Sequence, residues 1–403
     1  MLPHGAQNQW TLALATGALK PGPLAPQPRG EHPRQQLVQT TPRVIWLRGS
    51  RHRKRRPRRL WQCYPGFVSD DLPKYSSLRQ LPRMDLARSL PLAHPLALHV
   101  EASNLCNFSC RMCPVSFDDY VEVVGGLTSL PFEAIEGLFT DLASHGTGRL
   151  KVLRLYGEGE PLLRKDIAHL VECANARGVA ERIEITTNAS ALTEQVGRQL
   201  IASGLSYLRV SIYGVTEPEH RTITRSKVPL ATIQKNIARF QELKRELGSE
   251  KPILYVKMID RGNDHDNTTF RAQYSGIADE VAIEQAMNWD SYEGRDLLGT
   301  VSPVRQPNTQ RQVCPYPFYS LVVKANGDVV CCCVDWSKHT KVGNILQSGF
   351  WDIWHGHALR DIRRLHLSRD KARNASCRNC TYFHNTPDNL DGIPASDFAA
   401  ALG

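Results

Sequence analysis

No run of the sequence reaches the roughly eighteen uninterrupted apolar residues that a membrane helix needs, and no charged start followed by an apolar core reads as a secretory signal. The expectation is a cytoplasmic protein with no membrane partner. Acid is scarce at the beginning: Glu31 is the one acidic residue among residues 1–60, which are rich in Pro, Arg, Gln and Gly and lack apolar periodicity. That composition favours disorder. Seven Lys or Arg within residues 51–59 account for most of the net charge of +10. A basic run of this kind binds phosphate backbones or anionic lipid without specificity. A solvated tail, or a stretch ahead of the true start, ranks above any binding role, and a nucleic-acid partner ranks low. Its arginines also resemble an organelle transit segment, against which its prolines argue. The remaining balance, 41% hydrophobic and 22% charged over 403 residues, allows a large core and a second small domain.

Cysteine is absent beyond Cys380, and seven of the eleven cysteines fall into two ligand-like groups. Ligands must be reduced, which fits a cytoplasm better than a disulfide framework. The first group is Cys106, Cys110 and Cys113, in Cys-Asn-Phe-Ser-Cys-Arg-Met-Cys-Pro, directly after the strand-like Leu96–Glu101. Gaps of three and two residues let one loop wrap a cubane of iron and sulfide, and three thiolates leave one iron open to a small molecule. A zinc knuckle or buried structural cysteines are the competing readings, and zinc lacks a nearby fourth ligand. The motif strongly resembles that of the radical S-adenosylmethionine (SAM) enzymes. The resemblance implies that the open iron of a [4Fe-4S] cluster chelates SAM and that an electron, delivered by an external one-electron reductant such as flavodoxin or ferredoxin, splits the sulfonium to a 5'-deoxyadenosyl radical.

From residue 96 onward β-branched runs alternate with amphipathic stretches, as in a parallel α/β architecture. Six strands are expected: Leu98–Ala102, Lys151–Tyr156, Arg182–Thr187, Tyr207–Ile212, Ile253–Ile259 and Glu280–Ile283. Helices are expected at Phe132–Ser144, Asp166–Arg177, Glu194–Ser203, Leu230–Leu247 and Asp266–Tyr274. This set fits a partial (β/α)6 TIM-like barrel, with working groups on loops at the carboxyl ends of the strands. A polar connector near residues 288–313 leads to a small cysteine-rich α+β domain. There Phe318–Val323 and Asp328–Cys333 read as strands joined by Ala325-Asn-Gly327, a hairpin signal. The expected division is an extension at 1–95, a core at 96–290, a cysteine-rich domain at 291–385 and a tail at 386–403.

After the second strand comes Tyr156-Gly-Glu-Gly-Glu-Pro, similar to the family's Gly-Gly-Glu segment, with Gly159 and Glu160 as the matching pair and Glu158 in place of the first glycine. Glycine lets the backbone approach a charged ligand. By the resemblance, Gly159, Glu160, Asn188 and Ser211 contact SAM. Asn188 and Ser211 equally suit helix caps. Tyr213 stands where the family often has Asp. Arg221 and Arg225 are candidates for a carboxylate fork, or solvated surface groups.

Cys314, Cys332, Cys377 and Cys380 form the second group, and four thiolates close a site. The arrangement resembles the twitch domain, a shortened SPASM domain with one auxiliary [4Fe-4S] cluster, in its Cys-Pro at 314, its Gly327 and its Gly343-Asn344. Ligands for a further cluster are missing after Cys380. Structural zinc is the competing reading. Because neighbours on a strand face opposite ways, Cys331 and Cys333 would point away from Cys332, as buried core residues or as catalytic thiols beside the substrate. Cys63 and Cys173 read as structural. The expected activity is hydrogen abstraction from a substrate carbon, followed by oxidation of a carbinol in a sugar or aminocyclitol, with epimerisation of a sugar or peptide as the alternative. A peptide substrate is disfavoured because residues 1–95 show no folded leader-binding pattern.

Overall fold

The computed structural model describes residues 84–146, 148–284 and 311–402. The basic run, Cys63 and most of the polar connector lie outside the described residues. The described residues begin with α1 (Leu86–Ser89), β1 (Ala97–Val100), α2 (Tyr120–Val124), α3 (Phe132–Ser144), β2 (Val152–Arg154), α4 (Ile167–Ala176) and β3 (Ile183–Thr187). They continue through α5 (Glu194–Ala202), β4 (Tyr207–Ile212), α6 (Glu217–Thr224), α7 (Leu230–Glu246), β5 (Ile253–Ile259), α8 (Asp264–Tyr274) and β6 (Glu280–Glu284). These six strands pair in parallel, each with its sequence neighbours, as the alternating pattern predicts. Local chemistry sets the helix starts: Thr193, Thr216 and Asn263 each accept a hydrogen bond from an N–H of the first turn of the helix that follows. α3 buries Ile135, Leu138, Phe139 and Leu142, the stripe that places one helix face on a sheet.

Expected and observed ends agree within one or two residues, and Tyr207–Ile212, Ile253–Ile259 and Phe132–Ser144 coincide. α6 has no expected counterpart. Its Pro218 sits in the first turn, where a missing N–H is harmless.

The second half holds α9 (Tyr316–Tyr319), β7 (Ser320–Val323), β8 (Asp328–Val330), β9 (Lys341–Asn344), α10 (Phe350–Trp354), α11 (His357–Leu367), α12 (Ala375–Arg378) and α13 (Phe398–Leu402). Its strands do not form a separate sheet. β7 pairs in parallel with β1, Leu98 opposite Leu321, and the antiparallel β8 and β9 extend the edge to a nine-stranded sheet. Two expectations need correction. Phe318 and Tyr319 close a helix rather than open β7. β8 ends at Val330, and Cys331, Cys332 and Cys333 follow in a bend, because Asp335 gathers the next loop: its carboxylate accepts from Thr340 N at 2.7 Å, Thr340 Oγ1 at 2.6 Å and Ser376 Oγ at 2.6 Å. Strand alternation therefore does not govern the cysteine triplet. The terminal stretches are also partly folded: Leu86 packs with Val313, Phe318, Leu367, Leu390, Ala401 and Leu402 in one apolar cluster.

Leu98 and Leu321 are both fully buried where β1 meets β7. Leu321→Ala should therefore destabilise the metal-free chain by about 3 kcal/mol, read as a lower urea midpoint in far-ultraviolet circular dichroism. A loss below about 1 kcal/mol would show that this junction is not core.

Candidate active site

Along the barrel strands the two faces differ in chemistry. Leu98, Val100, Leu153, Leu155, Ile183, Ile185, Leu208, Val210, Leu254 and Val256 belong to the buried apolar core. The alternate positions are polar or charged. Arg154 Nη1 lies 3.0 Å from His99 Nε2, and its Nε donates to Glu184 at 3.3 Å. Arg209 Nη2 and Lys257 Nζ both donate to Glu284 at 2.9 Å. Burial, with Arg154 beside it, holds the His99 imidazole neutral, well below its usual range. Closed barrels fill their interior with branched apolar side chains. This one lines its interior with charge.

At the carboxyl ends of β1, β2 and β7 three buried ionisable groups meet. Lys324 Nζ donates to Glu158 Oε1 at 2.7 Å, and Glu101 Oε1 accepts from Glu158 N at 2.8 Å. Burial and the charge of Glu158 push the Glu101 carboxyl well up, so it keeps its proton. Burial acts the same way on Glu158, but Lys324 and the Glu101 hydrogen bond outweigh it and hold that carboxylate below its usual range. Gly157 permits this packing, since a Cβ there would strike the Glu101 side chain. Tyr120 Oη, buried and without a hydrogen-bond partner among the described residues, lies within the influence of Glu158, Glu101, Cys113 and Cys106.

The first cysteine loop leaves β1 and is pinned from two sides. Ser109 N and Arg111 N donate to the carbonyls of Thr224 and Ile223 at the end of α6, at 3.1 and 2.9 Å. Asn188 Nδ2 donates to Asn107 Oδ1 at 3.0 Å from the end of β3. The three thiols face one another, and burial pushes Cys106 up to about 11, Cys113 up to about 12 and Cys110 well above the usual thiol range. Tyr213 lies beside these thiols and shares a hydrogen bond with Ser211.

The other expected contacts hold the loop itself. Glu160 is buried and accepts from Leu162 N at 2.9 Å, Thr187 Oγ1 at 2.6 Å and Asn188 N at 2.7 Å. Burial lifts its carboxyl to about 7 against those donors. A Cβ on Gly159 would collide with the carbonyl oxygens of Ser103 and Leu105, on the strand of chain entering Cys106. The need for glycine there comes from this backbone approach. Neither Asn188 nor Ser211 caps a helix; Thr193 and Thr216 do. Arg221 is exposed and bonded to Glu217 at 2.6 Å, and Arg225 is exposed at the left-handed end of α6.

Cys314, Cys332, Cys377 and Cys380 line one cavity, with Cys331 also at its wall. Lys371 Nζ, donating to the carbonyls of Cys377, Arg378 and Cys380 at 3.0 to 3.2 Å, folds the last loop. Cys331 is buried with its thiol on the Thr340 carbonyl at 3.6 Å. Cys333 differs: its thiol donates to Tyr382 Oη at 3.4 Å, and the charges of Arg154 and Lys324 act on it. Cys173 is buried in the core, as a structural residue would be.

Both cysteine groups suit iron and sulfide. Three thiols of one loop face one another and four more line one cavity, donor sets of the kind that hold iron-sulfur clusters. A structural zinc needs four donors at about 2 Å from one point. A model of the radical SAM superfamily matches residues 100–254, and one of an iron-sulfur cluster-binding domain, SPASM, matches residues 314–381. The chain belongs to the radical SAM superfamily. A radical SAM domain implies a [4Fe-4S] cluster and SAM as cofactors, and a SPASM domain implies auxiliary iron-sulfur binding. It is similar to Fe-coproporphyrin III synthase of Methanosarcina barkeri, 33% identical over 28% of this chain and 26% of that protein. A GTP 3',8-cyclase of Staphylococcus epidermidis is 30% identical over 35% and 40%. The dTDP-4-amino-4,6-dideoxy-D-glucose ammonia-lyase of Streptomyces venezuelae is 26% identical over 54% and 44%. The chain thus spans less than half the length of these curated relatives. Among solved structures, BtrN in complex with AdoMet and 2-DOIA aligns with a TM-score of 0.47 at 19% identity, covering 73% of this chain and 94% of that one. SuiB of Streptococcus suis aligns at 0.49 and 15%, covering 72% of each. No helix among the described residues is long and apolar enough to cross a membrane.

The sequence reading missed Glu101, Glu158 and Lys324 as a group. Polar residues at every second position were the available signal: His99 and Glu101, then Arg154, Tyr156 and Glu158, then Arg209 and Ser211.

Gly159→Ala should remove the cluster of the first cysteine loop together with SAM cleavage, because it displaces the chain entering Cys106; anaerobic iron and sulfide counting checks it. Retained cluster with weakened SAM binding would assign Gly159 to the ligand instead. A carboxyl whose pKa is raised by folding holds its proton more tightly in the folded state, so it subtracts stability as pH rises through the interval from its unfolded value to about 7. Relative to Glu160→Gln, the metal-free parent should therefore lose up to about 3 kcal/mol between pH 4.5 and 7, measured by urea unfolding at each pH.

Proposed function

We propose that this enzyme abstracts hydrogen from a carbinol carbon of a sugar or aminocyclitol and oxidises it. The observation that carries the reading is the Glu101–Glu158–Lys324 group, whose charges reach Cys113 on one side and Cys333 on the other. Bound at Cys106, Cys110 and Cys113, the cluster would supply the electron that cleaves SAM. Bound at Cys314, Cys332, Cys377 and Cys380, a second cluster would accept one in turn. The protein's task is to hold a polar substrate in the charged interior and to receive the proton that leaves with oxidation. Glu158 is ionised and is the member of the pair able to take the proton; Lys324 lowers its basicity, and Glu101 already holds its own proton. An external one-electron reductant completes the set of partners.

Epimerisation is the second reading, and Cys333 favours it. A thiol can return hydrogen to a carbon radical; Cys333 borders the charged interior, while Cys331 is tied to a backbone carbonyl.

Iron and sulfide analysis of the reconstituted enzyme should give two four-iron clusters by the two cysteine groups, and joint replacement of Cys106, Cys110 and Cys113 by Ala should leave one and abolish 5'-deoxyadenosine. Turnover in deuterium oxide should give a ketone or aldehyde with no carbon-bound deuterium. Deuterium at an inverted carbon, lost in Cys333→Ala and kept in Cys331→Ala, would establish epimerisation.

A further inference from the structure

A histidine in the last turn of a helix is read most simply as a cation beside the negative end of the helix dipole. His366, in the last turn of α11, does not fit that role. It lies on the stripe of Leu359, Arg363, His366 and Leu367 that α11 buries, and it is 2% exposed. Burial, with Lys371 nearby, disfavours its charged form. Its Nδ1 is sealed from solvent and has no hydrogen-bond partner among the described residues. A buried polar atom left in that state costs about 1–3 kcal/mol.

His366 lines the cavity of Cys314, Cys332, Cys377 and Cys380. Besides the cysteines, Asp335, Thr340, Lys371 and Ser376 are the other polar side chains of that wall, and the protein occupies each of them. Asp335 accepts from the hydroxyls of Thr340 and Ser376, and Lys371 is spent on three carbonyls of the last cysteine loop. Of these five side chains, His366 alone keeps a nitrogen without a partner. An iron-sulfur cluster brings acceptors of its own, its sulfide and thiolate sulfurs, and hydrogen bonds to them help to set its reduction potential. Donation to a sulfur stabilises the reduced, more negative state.

We propose that His366 donates its Nδ1–H to a sulfur of the cluster held by Cys314, Cys332, Cys377 and Cys380, and so raises the reduction potential of that cluster. The helix that carries the ring is fixed to the same wall: one turn earlier on the buried stripe, Arg363 Nε donates at 3.0 Å to the carbonyl of Pro317, which also lines the cavity. A higher potential suits the electron-accepting role assigned to the second cluster above. The proposal rests on the second cysteine group holding a cluster, and not on the substrate or on the outcome of the reaction.

The test is an anaerobic redox titration, followed by electron paramagnetic resonance, of the reconstituted full chain with Cys106, Cys110 and Cys113 replaced by Ala, so that the signal comes from the second cluster. In that background His366→Leu should keep its iron and lower the reduction equilibrium constant by about tenfold, about 59 mV for one electron. His366→Asn, whose amide N–H can stand in for Nδ1–H, should restore most of the loss. In the background chain itself, isotopic labelling of histidine nitrogen should reveal a hyperfine coupling to the reduced cluster, a measurement that decides the matter even where a variant fails to load iron. An unchanged potential in iron-loaded His366→Leu, equal shifts in the two variants, or no histidine coupling overturns the proposal while leaving the cluster in place. Iron missing from the chain with His366 intact overturns the cluster reading, and the proposal with it.

Discussion

The parallel pairing of β1 with β7 is the junction on which the rest of the molecule depends. It joins the six-stranded barrel to the cysteine-rich segment through one ladder, from Ala97 opposite Ser320 to Val100 opposite Val323. The ladder continues past the strand ends, where Glu101 N donates to Val323 O at 2.8 Å. Lys324 therefore emerges beside Glu101 and Glu158, and the turn after β8 brings Cys333 within reach of Arg154 and Lys324. Without this register a buried lysine would lose its carboxylate, a loss that buried charge tolerates poorly.

The charged interior follows from the same arrangement. Six strands that do not close on themselves leave room that apolar side chains would have to fill, and here carboxylates bridge cations instead: Glu184 with Arg154 and Arg182, Glu284 with Arg209 and Lys257. Such pairs orient one another and keep the interior polar. Glu158, in the position where the family's segment has glycine, adds a carboxylate at the rim and needs both Lys324 and Gly157 to be accommodated.

The glycine and acid of the Gly-Glu segment show how one motif serves two demands. Gly159 is required by the carbonyl of Ser103, and Glu160 ties β2, β3 and the loop of Cys106 together. Precision at the first cysteine group thus rests on hydrogen bonds between strand ends, with Asn188 and Asn107 as the last link.

Much was legible in the sequence because the signals are local. The spacing of Cys106, Cys110 and Cys113, the period-two and period-3.6 stretches and the Asn-Gly turn each lie within one short window, so the strands, most helices and the candidate ligands could be read directly. What the sequence could not determine are relations between distant segments. That β7 adds to the core sheet and that Lys324 meets Glu101 and Glu158 depend on backbone register across more than a hundred residues, and Cys331 and Cys333 part company because Asp335 closes the loop after β8 onto Thr340 and Ser376. Local propensity fixes which residues extend or coil; only packing, by choosing which buried charges must neutralise each other, decides which of them meet.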